Sequence, residues 1–248
     1  MMKKILLFLL LAVFSLGISA QAPSKKCPVC GLSIPTCQYK GKHPKKKPTT
    51  SAQQQPSKPA KPAAKPRPTT GTLNGYDWVD LGLSVKWATK NVGADSPSDY
   101  GGYFAWGEIS TKSSYTKDNS KTYNKPMGDI AGNSQYDTAR ANWGSTWRMP
   151  TEKEFQELSD QCTWTWTSQG GHAGYRVTSK TNGNSIFLPA AGYRDGQSLH
   201  YVGSYGHYWS AGPNSITSGR NLSFIPSYVY PQYTSSRAYG LTVRPVSE

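Results

Sequence analysis

The N-terminal 71 residues contain no Asp or Glu, although they hold 13 of the 28 Lys and Arg in this 248-residue chain. The other 15 basic residues share residues 72–248 with all 14 acidic ones, so that part carries only +1 of the net +14. This distribution excludes reading the pI near 9.6 as the property of a basic globular domain. The nucleic-acid partner that such a pI would suggest goes with it. Long apolar runs are missing after Ile18, which argues against a membrane-spanning helix in the rest of the chain. No cysteine follows Cys162, and residues 44–71 hold no aromatic residue. Catalytic signatures are absent too: there is no Gly-x-Ser-x-Gly elbow, no His-Glu-x-x-His and no phosphate loop.

What is there begins with a leader. Met1-Met2-Lys3-Lys4 is a positive start, and Ile5 to Ile18 is an apolar run broken only by Ser15 and Gly17. Ser19-Ala20 supplies small residues for a signal peptidase, so residues 1–20 are expected to be a signal peptide cleaved before Gln21. The run is short for a span of about 20 apolar residues. The mature protein is then expected to be secreted, in the periplasm or at the outer cell surface, with no transmembrane span.

Residues 21–43 carry Cys27, Cys30, Cys37 and His43. Cys27-x2-Cys30 is a knuckle that presents two thiolates on one turn, and Cys37 with His43 could complete a tetrahedral zinc site. In an oxidising compartment the same thiols could form a disulfide instead. A zinc site this small would be structural. Residues 44–71 are rich in Pro, Lys, Ala and Gln and cannot bury apolar surface, so a disordered, extended linker is predicted. Its lysines could attract anionic cell-envelope polymers or merely keep the linker solvated.

Residues 72–248 switch to dense Gly, Tyr and Trp, with signals for short strands and turns. Strands are predicted at Trp78-Val79, Val85–Ala88, Gly101–Trp106, Gly174–Thr178, Ser185–Leu188, Tyr208–Ser210, Arg220–Phe224 and Gly240–Arg244. Asn182-Gly183 is a tight-turn signal between two of them. Tyr136–Trp143 suggests a short helix. A second helix should start at Thr151, where Thr151-x-x-Glu154 forms a capping box after Pro150. Phe155, Leu158 and Cys162 would share its inner face. Short strands with one or two helices predict an α+β domain.

Several motifs in fixed order carry a family resemblance: YDWVDLGLSVKWATKNVGA (76–94), YGGYFAWGE (100–108), WRMPTEKEFQEL (147–158), CTWTW (162–166), NSIFLPAAGYR (184–194), HYWSA (207–211) and GLTVRPV (240–246). Together they resemble the Fibrobacter succinogenes major paralogous domain, found in Bacteroidetes surface and secreted proteins, over nearly all of 74–247. WRMPTEKEF and GLTVRPV are also similar to elements of the formylglycine-generating-enzyme relatives. The resemblance implies a C-type-lectin-like fold in which the two chain ends pair and a loop-rich half displays a ligand surface. The catalytic cysteines of formylglycine-generating enzymes have no counterpart after Cys162, so that activity is not implied.

The stretch from Tyr193 to Tyr239 has a paratope-like composition of Tyr, Ser, Gly, Asn and His. Tyrosine offers large contact area at low entropic cost, and it is also what sugar sites use. The candidate ligand-binding residues are Tyr201, Tyr205, Tyr208, Tyr228, Tyr230 and Tyr233, with His200, His207, Arg194 and Asp195 as polar contacts. Each tyrosine could instead be ordinary packing. The region also resembles the variable segment of lectin-like proteins diversified by retroelements, which implies that its Tyr, Ser and His positions vary between cells. The acidic residues of the second helix read as its solvated face, and no acidic partner is evident for any histidine beyond a weak Asp195–His200 pair. The chain therefore reads as a non-enzymatic binding protein for a glycan or protein ligand. The alternative is a structural envelope component attached through its basic tail.

Overall fold

A computed structural model of the chain describes residues 69–248. The expected signal peptide, the candidate metal ligands Cys27, Cys30, Cys37 and His43, and the expected linker up to residue 68 lie outside the described residues. The described part is α+β, with many short strands and two helices.

Strands β1 (Thr70–Leu73) and β2 (Tyr76–Val79) form a hairpin around Asn74-Gly75. Both turn residues have positive φ, 49° and 80°, as a two-residue primed turn requires. Strand β1 thus begins at Thr70, inside the stretch that composition assigns to the linker. Strand β3 (Lys86–Ala88) pairs with β2.

Helix α1 (Thr138–Trp143) is capped by Asp137, whose carboxylate accepts from the Arg140 backbone N–H at 3.0 Å. The same buried carboxylate also accepts from Gly132 and Met149 at 2.7 and 2.9 Å, so one side chain fixes both flanks of the helix. Helix α2 (Glu152–Gln161) carries the expected capping box: Glu154 N–H donates to Thr151 Oγ1, and Thr151 N–H donates to Glu154 Oε2 at 2.7 Å. Phe155 and Leu158 are buried as predicted. Cys162 is buried too, but it opens strand β4 (Cys162–Gln169) rather than ending the helix. The Thr-Trp-Thr-Trp alternation that follows favours an extended chain. Strands β5 (His172–Ser179) and β6 (Ser185–Pro189) complete an antiparallel meander with β4.

Next come a small hairpin, β7 (Tyr193–Asp195) and β8 (Ser198–His200), and a three-stranded sheet. That sheet comprises β9 (Gly206–Pro213), β10 (Ser218–Ile225) and β11 (Tyr228–Ser236), in the order β11-β10-β9. Strand β12 (Val246–Ser247) then returns to β3, placing Val246 opposite Trp87. The two ends of the described domain therefore share one sheet.

Two predicted strands are replaced by single bridges. Phe104 bonds to Leu241 and Trp106 to Arg237, so 101–106 meets the 237–241 segment only at isolated points and forms no ladder. The segment 240–244 behaves alike, bridging Arg194, Phe104 and Tyr208 in turn. Both thread between other elements as core connectors.

Strand β9 is buried on both faces. Tyr208 belongs to a buried cluster with Phe155, Leu222 and Val246, whereas Trp209 belongs to another with Trp106, Met149 and Leu241. Adjacent strand residues point to opposite sides, so β9 divides two aromatic cores. Their polar atoms are satisfied: Tyr208 OH donates to the Pro189 carbonyl at 2.6 Å and Trp209 Nε1 to that of Phe104 at 2.7 Å. Buried Arg244 ties the region together, donating to Asn91 Oδ1 (2.8 Å), Ala88 O (3.2 Å) and Phe187 O (2.9 Å). Burial lowers its pKa to about 10.

Candidate functional site

A cavity of about 480 Å³ opens on one face of the β9–β11 sheet. Its floor follows from strand register. His207 on β9 faces Ser223 on β10, which faces Tyr230 on β11, so these three form one row across the sheet. All three line the cavity, and Ile225 and Tyr233 join them.

Tyr230 and Tyr233 are three residues apart, so in a regular strand they would point to opposite faces. A bulge intervenes: β10 advances two residues, from Asn221 to Ser223, while β11 advances three, from Tyr233 to Tyr230. The extra residue rotates one tyrosine onto the face of the other. Pro231 sits within this irregularity, where its missing N–H can be tolerated.

The opposite wall comes from the β7–β8 hairpin and the loop after it. Tyr201 and Tyr205 flank a turn in which Ser204 and Tyr205 N–H donate to Tyr201 O at 3.1 and 2.9 Å. Tyr201 has φ 56°, an uncommon backbone for a tyrosine, of the kind found where a site holds strain. Gly192 lets this wall approach. Its φ is 63°, and a Cβ there would run into the His200 carbonyl and come within 2.9 Å of Val202 N. Paired bonds between Arg194 and Gly240 set Tyr193 beside Tyr239, their rings 5.2 Å apart. Both line the cavity.

The lining contains no Asp, Glu, Lys or Arg. His207 is the one ionisable base in it and is 6% exposed. Burial pushes its pKa down to about 4, against a weaker upward pull from the Asn221 amide. It is therefore neutral at pH 7. Its Nδ1 is buried with no hydrogen-bond partner among the described residues, the kind of orphan that calls for an explanation. Behind it, in the amide orientation that satisfies both of its ends, Asn221 Oδ1 accepts from the Ser235 hydroxyl and N–H at 3.0 and 3.2 Å. Burial raises the Tyr193 phenol pKa.

The structure thus gathers Tyr201, Tyr205, His207, Tyr230 and Tyr233 of the predicted set around one cavity. It adds Tyr193, Tyr239 and the hydroxyls of Ser223 and Thr234–Ser236. Tyr239 could be recognised only through its bridge partner, and the hydroxyls only through strand register. Tyr208 is corrected to a core residue, fully buried between β6 and β10. Tyr228, Tyr230 and Tyr233 are corrected from loop to strand residues. Arg194 is drawn from the cavity onto the Tyr103 ring, 5.2 Å from its centre. Asp195 stands exposed at the hairpin turn, and His200 stacks on Tyr193 at 5.2 Å outside the lining.

Among the described residues no group of three or more His, Cys, Asp or Glu could hold a metal ion. Cys162 is a free thiol whose pKa burial raises to about 11. No described helix is long and apolar enough to cross a membrane.

Residues 174–246 match a family described as a domain of unknown function (DUF8237). That span runs from β5 to β12 and contains every cavity residue. No curated protein and no solved structure matches the chain.

Proposed function

We propose that this is a secreted or cell-surface binding module, that its tyrosine cavity recognises a glycan or protein ligand, and that a glycan is the better fit. The carrying observation is the lining: aromatic faces and hydroxyl groups in an open cavity with no charged side chain. Aromatic faces take the C–H side of a sugar ring, and tyrosine, serine and threonine hydroxyls exchange hydrogen bonds with its edge. A volume near 480 Å³ lies within the ordinary range for small-ligand sites. The C-type-lectin-like arrangement suggested by the motifs is supported by the sheet that the first and last strands of the described residues share, with β12 paired to β3. Binding rather than catalysis is the reading this lining supports, because it offers no carboxylate to orient His207, the one ionisable base in it.

A glycan array probed with the full chain tests this. Neutral glycans should be retained by the wild type. They should lose at least about a hundredfold in affinity to the Tyr201→Ala/Tyr230→Ala/Tyr233→Ala variant, on the order of two stacked rings. The three side chains are exposed, so folding should be little changed. Retained binding by this variant, or selection of anionic glycans only, would refute the proposal.

A further inference from the structure

We infer that the ligand is an oligosaccharide, and that Tyr228 forms a second subsite beside the cavity. This inference rests on the glycan reading above. Tyr228 pairs with Ile225 across the β10–β11 ladder, two pairs beyond Ser223–Tyr230. Lying two residues from Tyr230, it shares that residue's sheet face. Its ring lies 4.2 Å from that of Tyr230, which lies 6.0 Å from Tyr233. Tyr233 in turn lies 6.1 Å from His207 on the floor. Aromatic surface therefore continues from the cavity floor to the end of the strand.

Tyr228 is not part of the cavity wall. It is 56% exposed and belongs to neither of the large buried clusters. An exposed aromatic ring placed in line with a binding cavity marks added contact surface. A monosaccharide held in the cavity would leave it uncovered. A second ring, linked to the first, would lie on the Tyr228–Tyr230 shelf. No charged side chain enters the cavity lining, so the chain it fits is an uncharged one.

The test uses the full chain and the methyl glycosides of glucose, galactose, mannose and N-acetylglucosamine, with their linked di- and trisaccharides. Saturation-transfer NMR reads weak binding and calorimetry reads tighter binding. In at least one series the disaccharide should bind about tenfold more tightly than its monosaccharide, the increment of one added stacked ring. Tyr228→Ala should remove that increment and leave monosaccharide binding unchanged, whereas Tyr233→Ala should weaken both. Monosaccharide binding by Tyr228→Ala also reports that the variant is folded. Equal affinity for mono- and disaccharide, or an increment that survives Tyr228→Ala, overturns the second subsite and leaves the glycan reading standing. If no sugar of any series binds the wild type, the glycan reading fails and the subsite fails with it.

Discussion

Acidification should destabilise this domain through His207, by an amount that the structure sets. The imidazole titrates at about 4 in the folded state against an ordinary value of 6.5. Burial is the main cause, and no acidic side chain shares the cavity lining to offset it. Between those two pH values the unfolded chain takes up a proton that the folded chain refuses. Stability therefore rises with pH through this window, is complete above pH 6.5, and falls as the pH drops towards 4. At about 1.4 kcal/mol per pH unit, the loss attributable to His207 is about 3 kcal/mol. Urea unfolding at pH 7.5, 6.0, 5.0 and 4.0 would measure it, with His207→Gln as the comparison. The buried Asp137, whose pKa is raised, and Glu154, whose pKa is lowered, also titrate at low pH. Both are present in both proteins, so their contributions should cancel in the difference. The wild type should lose about 3 kcal/mol more than the variant from pH 7.5 to 4.0. Profiles that stay parallel within about 0.5 kcal/mol would show that the fold accommodates imidazolium and would sink the reasoning.

Two further predictions concern the frame around the cavity. Gly192→Ala places a Cβ against the His200 carbonyl at a positive φ. It should cost about 2–4 kcal/mol in urea unfolding and displace the Tyr201–Tyr205 wall, so glycan binding should fall more steeply than stability; unchanged binding would show that this wall is not needed. Arg244→Met leaves Ala88 O, Phe187 O and the Asn91 side chain without their buried donor. It should cost about 3–5 kcal/mol by the same assay, and a loss below about 1 kcal/mol would mean that water replaces the guanidinium.

The parts of this domain that could be read from sequence are those whose signals are local. Helix α2 announces itself because Thr151 and Glu154 satisfy each other's backbone at fixed spacing. The β5–β6 pairing does so because Asn182-Gly183 separates two β-prone runs. Strand β11 was hidden because Pro231 and a run of Tyr, Gln, Thr and Ser resemble a loop, and its bulge breaks the two-residue period. Tyr208 was misplaced because HYWSA shows no polar–apolar contrast when both faces of β9 are buried. Arg194 looked like a contact residue until tertiary packing set its guanidinium over Tyr103. The composition of Tyr193–Tyr239 points to the stretch that lines much of the cavity, but only strand register could say which rings face one another.

The irregularity in β11 also bears on solubility. Among the described residues β11 pairs only with β10, so its outer edge is a row of backbone groups that another chain could extend. An edge strand bearing exposed aromatic rings is a natural seed for aggregation. Pro231 leaves the strand one N–H short, and the bulge beside it twists the strand away from a flat template. The same interruption that brings Tyr230 and Tyr233 to one face thus works against one molecule adding its strand to the next.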